Sequence, residues 1–71
     1  MTGQTIQIEI NGKPREIAAG LSIRELLDQI ELSTPAVAVE LNLELIPREK
    51  HHVTQVRAGD RLEIVSLVGG G

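Results

Sequence analysis

The 71-residue sequence contains no cysteine and no phenylalanine, tryptophan or tyrosine. Without cysteine, disulfide bridges, thiolate metal sites and cysteine nucleophiles are excluded. Without aromatic rings there is no stacking platform for nucleobases and no aromatic cage for a cation. No apolar run approaches the ~20 residues of a membrane span. The opening Met1-Thr2-Gly3-Gln4 lacks the basic and apolar regions of a signal peptide. Ten acidic residues against seven basic ones give a net charge of −3, which argues against a general nucleic-acid binder. These absences point to a small, soluble, cytoplasmic domain with neither nucleic acid nor membrane among its partners. The core must be aliphatic, because Ile, Leu and Val dominate a hydrophobic fraction of 41%. A core of this size rarely supplies more than roughly 3–5 kcal/mol of net stability.

Hydrophobic periodicity divides the chain into short elements. Ile6, Ile8 and Ile10 alternate with polar residues, which predicts a half-buried strand. Asn11-Gly12 tolerates the positive φ of a two-residue type I′ turn, so Lys13 to Ala18 should return antiparallel. Simple register pairs Ile6 with Ile17 and puts Arg15 beside Ile8. That charge requires either an arginine reaching out from the sheet edge or a bulge that shifts the register. After Gly20, Ser22 and Glu25 have the spacing of a capping box, and Leu21 and Leu26 that of a hydrophobic staple. Ile23, Leu26, Leu27 and Ile30 form one apolar helical stripe. Ser33-Thr34-Pro35 is the predicted end of this helix. Ala36 to Leu41 is almost continuously apolar, as expected of a central strand covered on both faces or nearly so. A weak turn signal at Asn42, a short strand over Leu43 to Ile46, a polar helical turn or loop over Arg48 to His52, and a short extended piece over Val53 to Val56 follow. Ala58-Gly59-Asp60 is a turn, and Arg61 to Val68 is the last strand.

A hairpin, a helix, a strand, a short strand and a last strand make an α+β chain with one helical stripe to bury and one sheet face to receive it. That order is the β-grasp, or ubiquitin-like, arrangement: a mixed sheet packed on one helix. Residues 1–68 form the expected domain and 69–71 a flexible Gly-Gly-Gly tail. Catalytic constellations are missing. His51 and His52 are adjacent, so neither a strand nor a helix places them on one face, and a solvated polar loop is expected there. No HxH, HExxH, GxGxxG or GxxxxGK[ST] motif occurs. Ser22 is fully explained as a cap. Arg48-Glu49-Lys50 reads as a solvated mixed-charge patch. The glycines at the end are different. Glycine costs backbone entropy and adds no packing, but it makes a thin chain that lets a binding wall approach closely. Such a tail suits delivery of a carboxylate into a partner's narrow active site.

Ile8-Glu9-Ile10-Asn11-Gly12, Leu26-Leu27, Val37-Ala38-Val39-Glu40-Leu41-Asn42, Ile46-Pro47-Arg48, Gly59-Asp60, and Glu63-Ile64-Val65 running into Val68-Gly69-Gly70-Gly71 together resemble the ThiS family. Those are sulfur-carrier proteins of thiamin thiazole biosynthesis. The resemblance spans the chain from about Ile6 to Gly71 and departs at Asn42-Leu43-Glu44, where the family often has a tight Asn-Gly turn. It implies that an E1-like adenylyltransferase (ThiF-type) activates the carboxylate of Gly71 with ATP-Mg, that a sulfur donor protein converts it to a thiocarboxylate, and that a thiazole synthase (ThiG-type) takes the sulfur. The chain would then be a protein co-substrate that is no enzyme and binds no cofactor itself. Gly69 and Gly70 would be the tail recognised by partners.

Alternation on the last strand turns Leu62 and Ile64 toward the helix. It leaves Val65 and Leu67 partly outward, where with Val68 beside the tail they suit a partner-docking patch; the alternative is that helix and loops cover both sets. Rival readings share the fold and the tail: a carrier for molybdopterin or another sulfur pathway, or a ubiquitin-like protein modifier. The absence of phenylalanine and the Leu67-Val68 approach to the tail favour thiazole synthesis over molybdopterin.

Overall fold

The computed structural model describes residues 3–30 and 37–66. Strands β1 (Thr5–Ile10) and β2 (Lys13–Ala18) form the predicted hairpin. Asn11 and Gly12 turn the chain with φ of 52° and 82°, the paired positive values that match the twist of the flanking strands. The simple register holds: Ile6 opposes Ile17 and Ile8 opposes Arg15. No bulge is needed, because β2 lies at the sheet edge and Arg15 is exposed there.

Helix α1 (Ile23–Gln29) starts on the capping box. The Glu25 main-chain N–H donates to Ser22 Oγ at 3.1 Å, and the Ser22 N–H donates to Glu25 Oε1 at 2.9 Å. The helix ends earlier than the Ser33-Thr34-Pro35 signal predicts. Ile30 is its C-cap, already extended at φ −85° and ψ 129°. Its N–H still donates to the Leu26 carbonyl at 3.1 Å, while its side chain stays packed against the core. The apolar stripe is thus completed by a residue that has already left the helix. The predicted stop itself lies outside the described residues.

Strands β3 (Val37–Leu41), β4 (Glu44–Ile46) and β5 (Arg61–Ser66) complete a five-stranded sheet in the order β2-β1-β5-β3-β4. The first and last strands are neighbours and run parallel; every other pairing is antiparallel. Leu43 belongs to the turn rather than to β4, and Val53 to Val56 contributes only an isolated bridge between Gln55 and Ser22. β3 corrects one expectation. Val39 is fully buried, but Glu40 is exposed and Ala38 only half-buried, so one face of this strand is open. Among the described residues no element covers that face, and a glutamate can therefore alternate with the valine.

The core lies between α1 and the covered sheet face. Ile8, Ile17, Val39, Leu62 and Ile64 come from the sheet, Ile23 and Leu26 from the helix, and Val56 from the segment before β5. All eight are β-branched or leucine, so the missing aromatic volume is replaced by interdigitated aliphatic chains.

Two asparagines fasten β5. Asn11 Oδ1 accepts from the Ile64 N–H at 2.7 Å, and Asn11 Nδ2 donates to the Ile64 carbonyl at 3.2 Å. The side-chain amide therefore extends the β1–β5 ladder by one more rung, after the main-chain bond from Asn11 N–H to Leu62 O. On the other side, Asn42 Oδ1 accepts from Arg61 N–H at 3.0 Å and Nδ2 donates to Asp60 Oδ1 at 3.1 Å. Replacing Asn11 by glycine keeps a residue at ease with positive φ but strands a part-buried Ile64 N–H. Asn11→Gly is expected to lower stability by about 1–3 kcal/mol, read as a lower urea midpoint with unchanged m-value.

Candidate functional site

The sequence directs attention to the end of β5. Leu62 and Ile64 face the core at 1% and 8% exposure, and Val65 between the two faces' alternation points to the open side at 52%. Both inward assignments and the outward one agree with the alternation. Leu67, Val68, Gly69, Gly70 and Gly71 lie outside the described residues, so Val65 is the one expected site residue that the structure places.

Around Val65 the open face is apolar and acidic together. Ala38 is directly across from Val65, and Glu40 is directly across from both Glu63 on β5 and Leu45 on β4. Leu45 is 63% exposed. Opposed glutamates on one face destabilise a sheet slightly. The nearest cation on this face, Arg61, is turned to Glu9 on β1 at 3.6 Å. A neighbouring protein that supplies positive charge and an apolar contact would relieve the repulsion and cover Val65. Leu43, at the tip of the β3–β4 turn, is 92% exposed. Asn42 and Leu43 take φ of 52° and 72°. The tight turn that an Asn-Gly pair favours is thus kept with leucine in its second position, against that residue's conformational preference.

The histidines differ from expectation. His52 is exposed, but His51 is buried at 5%. The chain enters a 3-10 turn at Arg48–Lys50, which swings the His51 ring inward. There Nε2 lies 3.1 Å from the Ile46 carbonyl oxygen, to which it donates. The His51 carbonyl accepts from Arg24 N–H at 3.0 Å, fastening the turn to the helix. Adjacency in sequence gives no sign of this, because the bond partners come from β4 and α1. Among the described residues no three His, Asp or Glu side chains gather where they could share a metal ion, and no helix is long and apolar enough to cross a membrane.

Comparison with known proteins decides the family. The ThiS family model matches residues 8–71. The chain belongs to the ThiS family. It is 30% identical over 66 residues to the sulfur carrier protein ThiS of Escherichia coli K12, covering 93% of this chain and 100% of that one. It is 38% identical over 66 residues to a thiazole synthase of Paramagnetospirillum magneticum, covering 93% of this chain and 20% of the longer protein. The crystal structure of the thiamine biosynthesis protein ThiS from Geobacter metallireducens superposes with a TM-score of 0.82 at 36% identity, covering 93% of this chain and 100% of that one. The mixed sheet on one helix is therefore the β-grasp fold of the ThiS family.

The two histidines should respond differently to truncation. His51→Ala removes a buried ring and leaves the Ile46 carbonyl without its donor, so a loss of about 1–3 kcal/mol is expected. His52→Ala should stay within about 0.5 kcal/mol of the parent. Paired urea denaturation curves check the contrast.

Proposed function

We propose that sulfur is loaded at the carboxylate of Gly71 in this ThiS-family chain and leaves from there for thiazole formation. The sulfur-carrier role in thiamin biosynthesis follows from family membership and from the carrier and thiazole synthase relatives. A member of this family acts as a carrier rather than a catalyst. The observation that carries the assignment to Gly71 is the match of the family model through residue 71, the last of three consecutive glycines.

The chemistry needs an activated acyl group, because a carboxylate oxygen is a poor leaving group. Attack of the Gly71 carboxylate on the α-phosphate of ATP, in an E1-like adenylyltransferase, forms an acyl-adenylate and releases pyrophosphate. Sulfur from a donor protein then attacks the acyl carbon and expels AMP. Where the donor is a persulfide, a thiol cleaves the resulting S–S bond and leaves the thiocarboxylate. ATP and Mg²⁺ belong to the adenylyltransferase. The carrier's own residues recognise and deliver: Gly69 and Gly70 admit the end of the chain to a narrow site, because neither has a Cβ.

Docking falls to the open face next to the tail, at Val65 with Leu67 and Val68. The support is the half-exposed Val65 directly across from Ala38, with Leu45 and the opposed Glu40 and Glu63 on the same face. The receiving surface should therefore carry an apolar patch edged with lysine or arginine. A thiazole synthase is one such partner. In the Paramagnetospirillum protein the matching stretch is a fifth of a chain named thiazole synthase, which supports carrier and synthase working as a pair.

Intact-mass spectrometry after incubation with an E1-like adenylyltransferase, ATP-Mg and a sulfur donor should find one oxygen of Gly71 replaced by sulfur. Persistence of the free carboxylate with all three components active would overturn the assignment. Adding one alanine after Gly71 should abolish conversion while the folded-state NMR spectrum is preserved. Val65→Glu adds an unpaired negative charge to the docking patch; it should raise the KM for the carrier in the adenylation assay by roughly tenfold, on the order of 1.4 kcal/mol, with little change in the unfolding midpoint.

A further inference from the structure

The helix side of the molecule holds a cleft that the tail chemistry does not use. It has a volume of about 370 Å³ and is lined by Arg24, Leu27 and Asp28 of α1 and by Arg48, His51 and His52 of the turn after β4. We propose that this cleft receives an acidic segment of a partner protein, binding its aspartate or glutamate carboxylates between Arg24 and Arg48.

Charge segregation is the first argument. The chain is acidic overall, at −3, and its open sheet face carries Glu9, Glu16, Glu40 and Glu63 against Arg61. The cleft reverses that balance. Two arginines line it with a single acid, Asp28, whose Oδ1 stands 3.5 Å from Arg24 Nε. That pair is exposed on both sides, so it is weak and open to exchange for a better carboxylate. Arginine also suits the task, since its planar guanidinium takes a carboxylate through two parallel hydrogen bonds.

Preorganisation is the second. The two walls are main-chain segments fastened to each other: Arg24 N–H donates to His51 O at 3.0 Å, and Ile23 N–H donates to Thr54 O at 2.9 Å. The buried His51 ring, held on the Ile46 carbonyl, fixes the floor beside Leu27. The arginines therefore project from a fixed frame, which lowers the ordering cost of binding. The cleft has no aromatic ring on which to stack a base, which favours a carboxylate-bearing protein segment over a nucleotide.

The test uses the folded chain, isotopically labelled, and an acetylated hexaglutamate peptide as probe at low ionic strength. Backbone resonances of Arg24, Leu27, Arg48, His51 and His52 should shift and saturate, and added salt should weaken the response. The double variant Arg24→Gln/Arg48→Gln should bind roughly three- to tenfold more weakly, as expected for the loss of two exposed ion pairs. Lys13→Gln, on the opposite edge strand β2, should bind as the parent does. Asp28→Asn frees Arg24 and should bind more tightly. The proposal is overturned by the absence of saturable shifts in the cleft, by an equal loss in Lys13→Gln, or by weaker binding in Asp28→Asn. Shifts produced by inorganic phosphate but not by the peptide would also overturn it, in favour of a small oxyanion site.

Discussion

The pairing of Asn11 with Ile64 joins the first turn of the chain to the last strand, 53 residues later. The sheet depends on it because β5 lies between β1 and β3, so the hairpin joins the rest of the sheet only through that strand. A parallel pair cannot be closed by a short turn, and here it is short: only Glu9–Arg61 and Ile10–Leu62 are in strand register. A side-chain amide that bonds both the N–H and the carbonyl of Ile64 lengthens that ladder without lengthening the strand. Asn42 holds Arg61 from the other side, its Oδ1 accepting the Arg61 N–H and its main-chain N–H donating to the Arg61 carbonyl. In a domain whose core supplies only roughly 3–5 kcal/mol, two such bonds are a sizeable fraction of what keeps β5 in place. The strand that leads to the glycines is thus held by an asparagine side chain on each flank.

That constraint separates the sheet into two faces with different tasks. Leu62 and Ile64 close the core, while Glu63 and Val65 face outward. Fixing β5 from both neighbours fixes the presentation of Val65 as well, since a one-residue slip would exchange the faces. A carrier with no catalytic side chain works through such presentation. The small aliphatic core has only to hold one helix and one sheet steadily enough for a partner to find the same surface each time.

Much of this was legible in the sequence, and the failures have a common cause. Local chemistry with an internal partner was readable: Asn11-Gly12 with its paired positive φ, Ser22 with Glu25, the alternation through Ile6, Ile8 and Ile10, and the inward Leu62 and Ile64. What depended on a distant partner was not. Arg15 was ambiguous until the edge position of β2 showed where its side chain could go. Ala36 to Leu41 looked doubly buried because alanine and valine do not reveal which face is open; Glu40 was the sign, and one glutamate in an apolar run is easily outweighed. The end of α1 at Gln29 is set by Ile30 leaving the helix while keeping its place on the core, which a stop signal at proline cannot anticipate. His51 looked like half of a solvated pair because its acceptor, the Ile46 carbonyl, is presented by a turn whose shape the residues Arg48-Glu49-Lys50 do not announce. For the candidate site, Val65 was readable from alternation and the glycines from composition, whereas the charge arrangement around them required the registers of β3, β4 and β5.

The residues that do least for the fold are informative for the same reason. Leu43 occupies a left-handed conformation that glycine would adopt with less strain, and its side chain is almost wholly exposed. Leu45 and Val65 are exposed on the same side of the sheet as the opposed Glu40 and Glu63. Each feature is slightly unfavourable in the isolated domain: strained backbone, apolar surface in water, and like charges across a strand pair. Together they occupy the β3–β4–β5 side of the sheet and leave the β1–β2 side polar, at Thr5, Gln7 and Glu16. Scattered exposure of single aliphatics needs no explanation, but apolar area and uncompensated charge on one side both diminish on contact with one kind of surface, basic and apolar. The docking face proposed for this carrier is therefore distinguished less by any one residue than by the agreement of apolar area and like charge that a single partner would cover together.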